Sequence, residues 1–258
     1  MNPYVRKLTR LARAYAGAER AVIATFFKKA RKPADHLGWL KAQGFKEYSA
    51  IKPLIEALAA LYPNVDRGVE RREYAELTEK LADETKHARL VMELIEEIEG
   101  SKMTPRDLTW LPQDRRLAKV RAKYSKSYAQ LLHGAGKVSA HEIGRRDQEL
   151  ERAAITLTEG GGGALYQVCE RLQKRGVERK IANVFREILL DEVEHKDSGG
   201  RALATLIRNE AAFRRAARII CEISFQRLRM RNEQFGFPLD DASLAALERR
   251  ARNSAELS

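Results

Sequence analysis

The chain has 258 residues, of which 44% are hydrophobic and 33% charged, so it can bury an apolar core under a strongly charged surface. No apolar run is long enough to predict a membrane span, and the basic N-terminus lacks the apolar stretch of a signal peptide. The only cysteines, Cys169 and Cys221, argue against a disulfide framework and favour a cytoplasmic location, while the net charge of +12 favours anionic partners.

Ala, Leu, Arg, Glu and Lys dominate the chain and alternating β-branched runs are scarce, so we expect an all-α protein. In chain order, the apolar periodicity predicts helices at about 4–31, 46–62, 68–99, 114–133, 140–175, 178–208, 210–232 and 240–253. The interval 101–113 contains Pro105 and Pro112 and is expected to be a linker. The helix that follows this linker is rich in Lys and Arg.

Two of the predicted helices carry the same motif, Asp-Glu-x-x-His, at 83–87 and 191–195. Positions three apart lie on one face of a helix, and here that face is the apolar one. A carboxylate and an imidazole are costly to bury there unless something satisfies them. The other three histidines have no Glu three positions earlier. The repeated motif therefore favours a metal site over surface pairs, and this ligand chemistry suits iron and manganese.

Two further carboxylates are expected, because di-iron carboxylate bundles take a Glu-x-x-His from each of two helices and one Glu from each of two others. Glu159 lies 33 residues before Glu192 and at a similar distance from the turn between their predicted helices. Glu19 is the only acid in the first predicted helix and lies on an apolar stripe. Glu47 remains the alternative to Glu19, although Pro53 argues against a straight helix through it.

A run of glycines, Gly160–Gly163, directly follows Glu159. Each glycine costs a helix interior about 1 kcal/mol relative to Ala, so one interpretation is that the helix breaks into a loop here. The other interpretation is that the missing side chains leave space beside the metals for dioxygen and substrate.

Together these residues resemble the motif of the ferritin-like di-iron carboxylate superfamily: one Glu, then Asp-Glu-x-x-His, then one Glu, then Asp-Glu-x-x-His. The resemblance implies a ferritin-like four-helix bundle with additional helices, within a single domain of residues 1–258. The bundle core would span about 4–208, and a C-terminal helical extension would span about 210–253. The implied cofactor is two iron ions, with manganese or a mixed Mn/Fe pair as alternatives.

The resemblance also assigns roles to individual residues. It implies six metal ligands: Glu19, Glu84, His87, Glu159, Glu192 and His195. It implies Asp83 and Asp191 around them. Tyr15 and Tyr166 lie one turn before Glu19 and two turns after Glu159, so their positions predict them near the metals, either as a radical relay or hydrogen-bond donor or as packed core residues. In this arrangement Asp191 would accept a hydrogen bond from the ring of His87, and Asp83 one from the ring of His195, which would fix both imidazoles.

The resemblance implies that the protein is an enzyme. The chain has no Cys-x-x-Cys pair, which excludes a rubredoxin-like centre, and it is longer and more basic than a typical ferritin subunit. We therefore expect a non-haem di-iron, O2-dependent oxidoreductase, a monooxygenase or an oxidase, that hydroxylates, desaturates or N-oxygenates an organic substrate. Electrons would come from an external reductase or ferredoxin.

The basic surface fits an anionic substrate or an acidic carrier, such as an acyl carrier protein or a tRNA, and a homodimer is compatible with it. Two alternatives remain open: a metal-handling or peroxide-scavenging protein without an organic substrate, and a helical binding module with a degenerate site. The substrate, the redox partner and the choice between iron and manganese also remain open.

Overall fold

The computed structural model describes residues 2–65, 71–125, 145–159, 162–172, 175–193 and 198–254, and the regular structure in these ranges is helical. The helices are α1 (Pro3–Phe27), α2 (Pro33–Val65), α3 (Arg71–Glu99), α4 (Pro112–Ala122), α5 (Arg145–Glu159), α6 (Gly162–Cys169), α7 (Gly176–Val193), α8 (Ser198–Leu206), α9 (Glu210–Gln234) and α10 (Asp241–Asn253), with a short 3-10 helix, Pro105–Asp107, before α4. The prediction of an all-α protein is confirmed for the described residues.

The helix α2 begins well before the predicted start at 46. Pro33 occupies its first position, where a missing N–H costs nothing and the fixed φ favours a helix. The carboxylate of Asp35 accepts a hydrogen bond of 2.8 Å from the backbone N–H of Lys32, which closes the first turn. The sequence prediction of a short helix here is therefore wrong at its N-terminal boundary.

Gly44 and Pro53 are among the helix-disfavouring residues inside α2. Gly44 packs so closely that an added Cβ would come within 2.9 Å of Cδ2 of Leu108, so this glycine permits the close approach. Pro53 removes one backbone hydrogen bond but does not end the helix. From the sequence, Pro53 argues against a straight helix through Glu47; in the structure one helix contains both residues.

Several predicted boundaries differ from the structure. The helix α1 ends at Phe27 rather than at 31, and α4 ends at Ala122 rather than at 133. The predicted helix 140–175 contains α5 and α6, and residues 160–161 lie outside the described residues. The helix α6 ends at Cys169 because the next hydrogen bonds tighten to three-residue spacing: Arg171 N–H reaches the Val168 carbonyl at 3.2 Å. The predicted helix 178–208 is represented by α7 and α8, and residues 126–144 and 194–197 lie outside the described residues.

The helices α2 and α3 form an antiparallel hairpin. Near its base, Nζ of Lys41 lies 2.8 Å from Oε1 of Glu99, and further along Glu47 of α2 faces Glu84 of α3. The helix α3 also packs on α7, and α6 packs on α7 and α1. Residues of α1, α2, α3, α6 and α7 therefore share one core, in which Trp39 and Phe185 are fully buried with ring centroids 5.6 Å apart.

A second core lies between α1, α4, α5, α8 and α9, and it includes Leu8, Ile220 and Phe213. The hairpin of α2 and α3 extends beyond the first core: none of the described residues in 48–62 and 71–86 is buried. Glu47 and His87 are the last buried residues before the hairpin leaves the core. No described helix is long and apolar enough to cross a membrane.

Candidate metal centre

Three residues of α2 and α3 bring metal-ligating atoms together. A carboxylate oxygen of Glu47, one of Glu84 and a ring nitrogen of His87 all lie within 4.8 Å of one another. Glu84 and His87 are one turn apart on α3 and face the same side, and the antiparallel hairpin brings Glu47 level with them. Glu47 and His87 are buried and Glu84 is half-buried. This cluster can hold a metal ion.

The imidazole of His87 has the arrangement typical of a metal ligand. Its Nε2 lies 3.1 Å from Oδ2 of Asp191 on α7. Its Nδ1 is buried and has no hydrogen-bond partner among the residues that the structure describes. A neutral ring that donates through Nε2 presents a lone pair at Nδ1, and leaving that atom unsatisfied costs about 1–3 kcal/mol. A cation among these three residues would satisfy it.

Asp191 supports the cluster from α7. Its Oδ2 also accepts a hydrogen bond of 2.9 Å from Nζ of Lys86, which lies 3.2 Å from Glu187. Burial raises the pKa of Asp191, but the hydrogen bonds from Lys86 and His87 outweigh it, so the net pKa lies below the usual value. The ionised carboxylate can orient His87 as histidine ligands are usually oriented. The sequence predicts this contact, and the structure places both atoms within hydrogen-bond distance.

The carboxylate of Glu47 is held by two uncharged donors. Nε2 of Gln43 lies 2.6 Å from its Oε1, and the hydroxyl of Tyr166 donates to the same oxygen at 3.0 Å. Because Oε1 accepts both hydrogen bonds, Oε2 is the oxygen left to coordinate a cation. Tyr166 is therefore close to the cluster, as the sequence predicts.

The helix α7 carries another carboxylate, Glu192, whose charge acts on Tyr166. Burial raises the pKa of Tyr166 well above its usual value, and the negative charges of Glu47, Glu192 and Glu84 raise it further. Glu192 is half-buried and follows Asp191 directly. The charges of carboxylates on α2, α3 and α7 thus act on the hydroxyl of Tyr166, which contacts the carboxylate of Glu47 directly.

The other predicted ligands can be followed only in part. His195 lies outside the described residues, and so does the side chain of Glu159, whose backbone ends α5. Asp83 is half-buried on α3, and its expected partner is His195. The described site is therefore the Glu47–Glu84–His87 cluster with Asp191, Glu192 and Tyr166 beside it.

Glu19 and Tyr15 lie elsewhere. The carboxylate of Glu19 is 2% exposed and faces α9, with Nε of Arg231 at 3.4 Å and Nε of Arg227 at 4.0 Å. The hydroxyl of Tyr15 lies 3.4 Å from Oε1 of Glu248, and burial raises its pKa. Neither residue belongs to the Glu47–Glu84–His87 cluster. The sequence signal for the difference is the pair of arginines spaced by four on the apolar side of α9.

The fold and the site together define an all-α protein with a Glu-Glu-His cluster that can hold a metal ion. No family model, no curated protein and no solved structure matches the chain. The relationship to ferritin-like proteins is therefore a proposal based on the arrangement of residues.

Proposed function

We propose that this protein is a ferritin-like, non-haem di-iron oxygenase or oxidase that uses O2 to hydroxylate, desaturate or N-oxygenate an organic substrate. The observation that carries the proposal is the Glu47–Glu84–His87 cluster, in which a buried ring nitrogen lacks a described partner and Asp191 holds the other nitrogen. In this proposal Glu47 takes the place that the sequence analysis gave to Glu19.

A second cation is supported by the repeated motif. Glu192 lies close enough to Tyr166 to act on its pKa together with Glu47 and Glu84, and Glu159 and His195 would complete its ligands. Clustered carboxylates repel one another in a buried site, and two divalent cations would remove that repulsion. Two iron ions would supply redox and Lewis-acid chemistry, with manganese or a mixed pair as alternatives.

The chain itself would position the ligands and exclude water. Tyr166 and Gln43 hold one oxygen of Glu47, while Asp191 holds His87. The fully buried ring of Phe185 stacks on Tyr166 with centroids 5.8 Å apart, and this packing would help to shield the site from solvent. On the outer side, the half-buried Glu84 lies where the hairpin leaves the core, so small molecules would enter there. An external reductase or ferredoxin would supply electrons, and the net charge of +12 supports an anionic substrate or an acidic carrier.

The alternative is a metal-handling or peroxide-scavenging protein without an organic substrate. A groove of about 800 Å³ lies between α4, α9 and α10, and its lining residues include Phe213, Phe225 and Arg218. No residue of the Glu47–Glu84–His87 cluster lines this groove. Consumption of O2 in proportion to an added organic substrate would separate the two functions.

Metal analysis tests the proposal. The purified chain is reconstituted with Fe²⁺ under anaerobic conditions, and we expect two ions per chain and O2 consumption that depends on reductant. Glu47→Gln is expected to lose metal and O2 consumption while keeping its helicity. The matched control is Glu151→Gln, since Glu151 is also a buried carboxylate but is paired with Arg215.

The possible results distinguish loss of a metal ligand from general destabilisation. A wild-type chain without bound metal contradicts the proposal, and so does a Glu47→Gln variant that keeps both ions. If both variants lose metal equally, the loss reflects general destabilisation of the core and the assignment of Glu47 fails.

A further inference from the structure

We propose that Gln43, Gln234 and Arg231 are positioning residues that orient the carboxylate of Glu47 through a directed chain of hydrogen bonds. These hydrogen bonds join α9 to α2 and end at Glu47 of the Glu47–Glu84–His87 cluster. This inference rests on the proposed function, because the orientation of Glu47 matters only if Glu47 binds a cation.

Each step of this chain is a hydrogen bond between buried side chains. Nη1 of Arg231 donates to Oε1 of Gln234. Nε2 of Gln234 lies 3.1 Å from Oε1 of Gln43 and 3.2 Å from the backbone carbonyl of Trp39. Nε2 of Gln43 then donates to Oε1 of Glu47 at 2.6 Å. All four charged or amide side chains are at most 5% exposed.

The two ends of the chain fix its direction. A guanidinium can only donate hydrogen bonds and an ionised carboxylate can only accept them. A carboxamide can do both, but Gln234 must turn its oxygen toward Arg231, so its nitrogen faces Gln43. Gln43 must then accept from Gln234 with its oxygen, which leaves its nitrogen for Glu47. The guanidinium on α9 therefore determines which atom of Gln43 meets the carboxylate on α2.

Glu19 anchors the far end. Its Oε2 lies 3.4 Å from Nε of Arg231, so the guanidinium is held on one side by Glu19 and on the other by Gln234. This series of hydrogen bonds is unsuited to moving protons, because a guanidinium does not release its proton under ordinary conditions and two carboxamides follow it. It can instead fix the orientation of the Glu47 carboxylate. Oε1 of Glu47 is occupied by Gln43, and Oε2 is kept free to face the cation.

Isosteric substitutions test this inference. Gln43→Glu keeps size and shape but replaces the donor with an acceptor facing Glu47. Gln234→Glu acts one step away: it removes the donor to Gln43, so Gln43 can turn its nitrogen toward the introduced carboxylate and its oxygen toward Glu47. The matched control is Gln226→Glu, the same change on α9 at a residue that donates instead to Gln113. Gln43→Met removes the donor without adding a charge.

The measurements are titration with Co²⁺ alone, the visible spectrum of the bound Co²⁺ and the thermal midpoint. Substitutions of residues that orient metal ligands typically weaken binding about 10–100-fold. We expect that loss, with a changed Co²⁺ spectrum, in both Gln43 variants and in Gln234→Glu. Gln226→Glu is expected to keep the wild-type affinity and spectrum.

Failure of this inference is distinguishable from failure of the proposed function. If the wild-type chain binds no Co²⁺, the proposed function is overturned and this inference with it. If the wild type binds Co²⁺ and folded Gln43→Met and Gln234→Glu keep its affinity and spectrum, only this inference is overturned. A loss of affinity in Gln226→Glu equal to that in Gln234→Glu would also overturn it, since the effect would then follow the added charge.

Discussion

The ion pair between Glu19 and Arg231 allows a decisive test of which buried carboxylate binds metal. Glu19 is 2% exposed and Arg231 is 3% exposed, and Arg227 lies 4.0 Å from the same carboxylate. Removing one partner of a buried pair leaves an uncompensated charge and costs about 3–5 kcal/mol. Glu19→Leu leaves two buried guanidiniums, so we expect it at the upper end. Arg231→Met leaves Glu19 with Arg227, so we expect it at the lower end.

The double variant Glu19→Leu/Arg231→Met is expected to cost less than the sum of the two single variants, by up to about 3 kcal/mol, because each substitution removes the charge that the other exposes. Urea unfolding of the four proteins gives this coupling energy. The single variants are expected to melt about 6–20 °C lower, since 1 kcal/mol corresponds to about 2–4 °C in a chain of this size.

Metal content of the same proteins separates a structural role of Glu19 from a ligand role. We expect Glu19→Leu to lose stability and, at saturating metal, to bind the same number of ions as the wild type, whereas Glu47→Gln loses ions. A Glu19→Leu variant with wild-type stability and fewer ions would refute the reasoning, and would restore Glu19 as the ligand that the sequence predicts.

Three further substitutions have definite expectations. Burial lowers the pKa of His36 below 6.5, so the unfolded chain binds that proton more readily and the free energy of unfolding falls as the pH drops below 6.5. Between about pH 7.5 and 5, urea unfolding of His36→Phe should show a smaller fall in this free energy than the wild type, and an equal fall would contradict this. Phe185→Ala should cost about 3–5 kcal/mol in the same assay, because the ring is fully buried against Trp39 and Tyr166; a cost below about 1 kcal/mol would show that the core repacks. Asp191→Asn should weaken Co²⁺ binding about 10–100-fold by loosening His87, and unchanged affinity would remove Asp191 from the site.

The sequence predicts the helical class and the helix α3 well, because apolar residues recur at helical spacing over a long stretch of the chain. It fails at the start of α2, which begins at Pro33 rather than at 46 and includes Pro33, Gly44 and Pro53 among its helix-disfavouring residues. In the structure each has a specific place: Pro33 starts the helix, Gly44 lets it approach Leu108, and Pro53 lies in the outer half of the hairpin, where the residues from 48 to 62 are not buried. Local propensity cannot represent such placements.

The choice between Glu19 and Glu47 shows why part of the site could not be read from the sequence. Each lies on an apolar helix face, and each is compatible with the spacing to Glu84. The residues that decide between them, Arg227 and Arg231, follow Glu19 by more than 200 positions. In contrast, Asp191 and His87 could be paired in advance, since both belong to copies of the same motif.

The two buried carboxylates, Glu19 and Glu47, have partners of different charge. Glu19 faces two guanidiniums from α9, so its charge is compensated by the chain itself. The described donors to Glu47 are an amide and a phenol, and neither carries charge. Lys46 precedes Glu47 but turns toward α4, with Nζ 4.0 Å from Asp114, and burial lowers its pKa to about 7. Among the described residues, the hydrogen-bond donors to Glu47 therefore carry no charge. The divalent cation of the proposed function would supply positive charge there, beside Glu84 and His87.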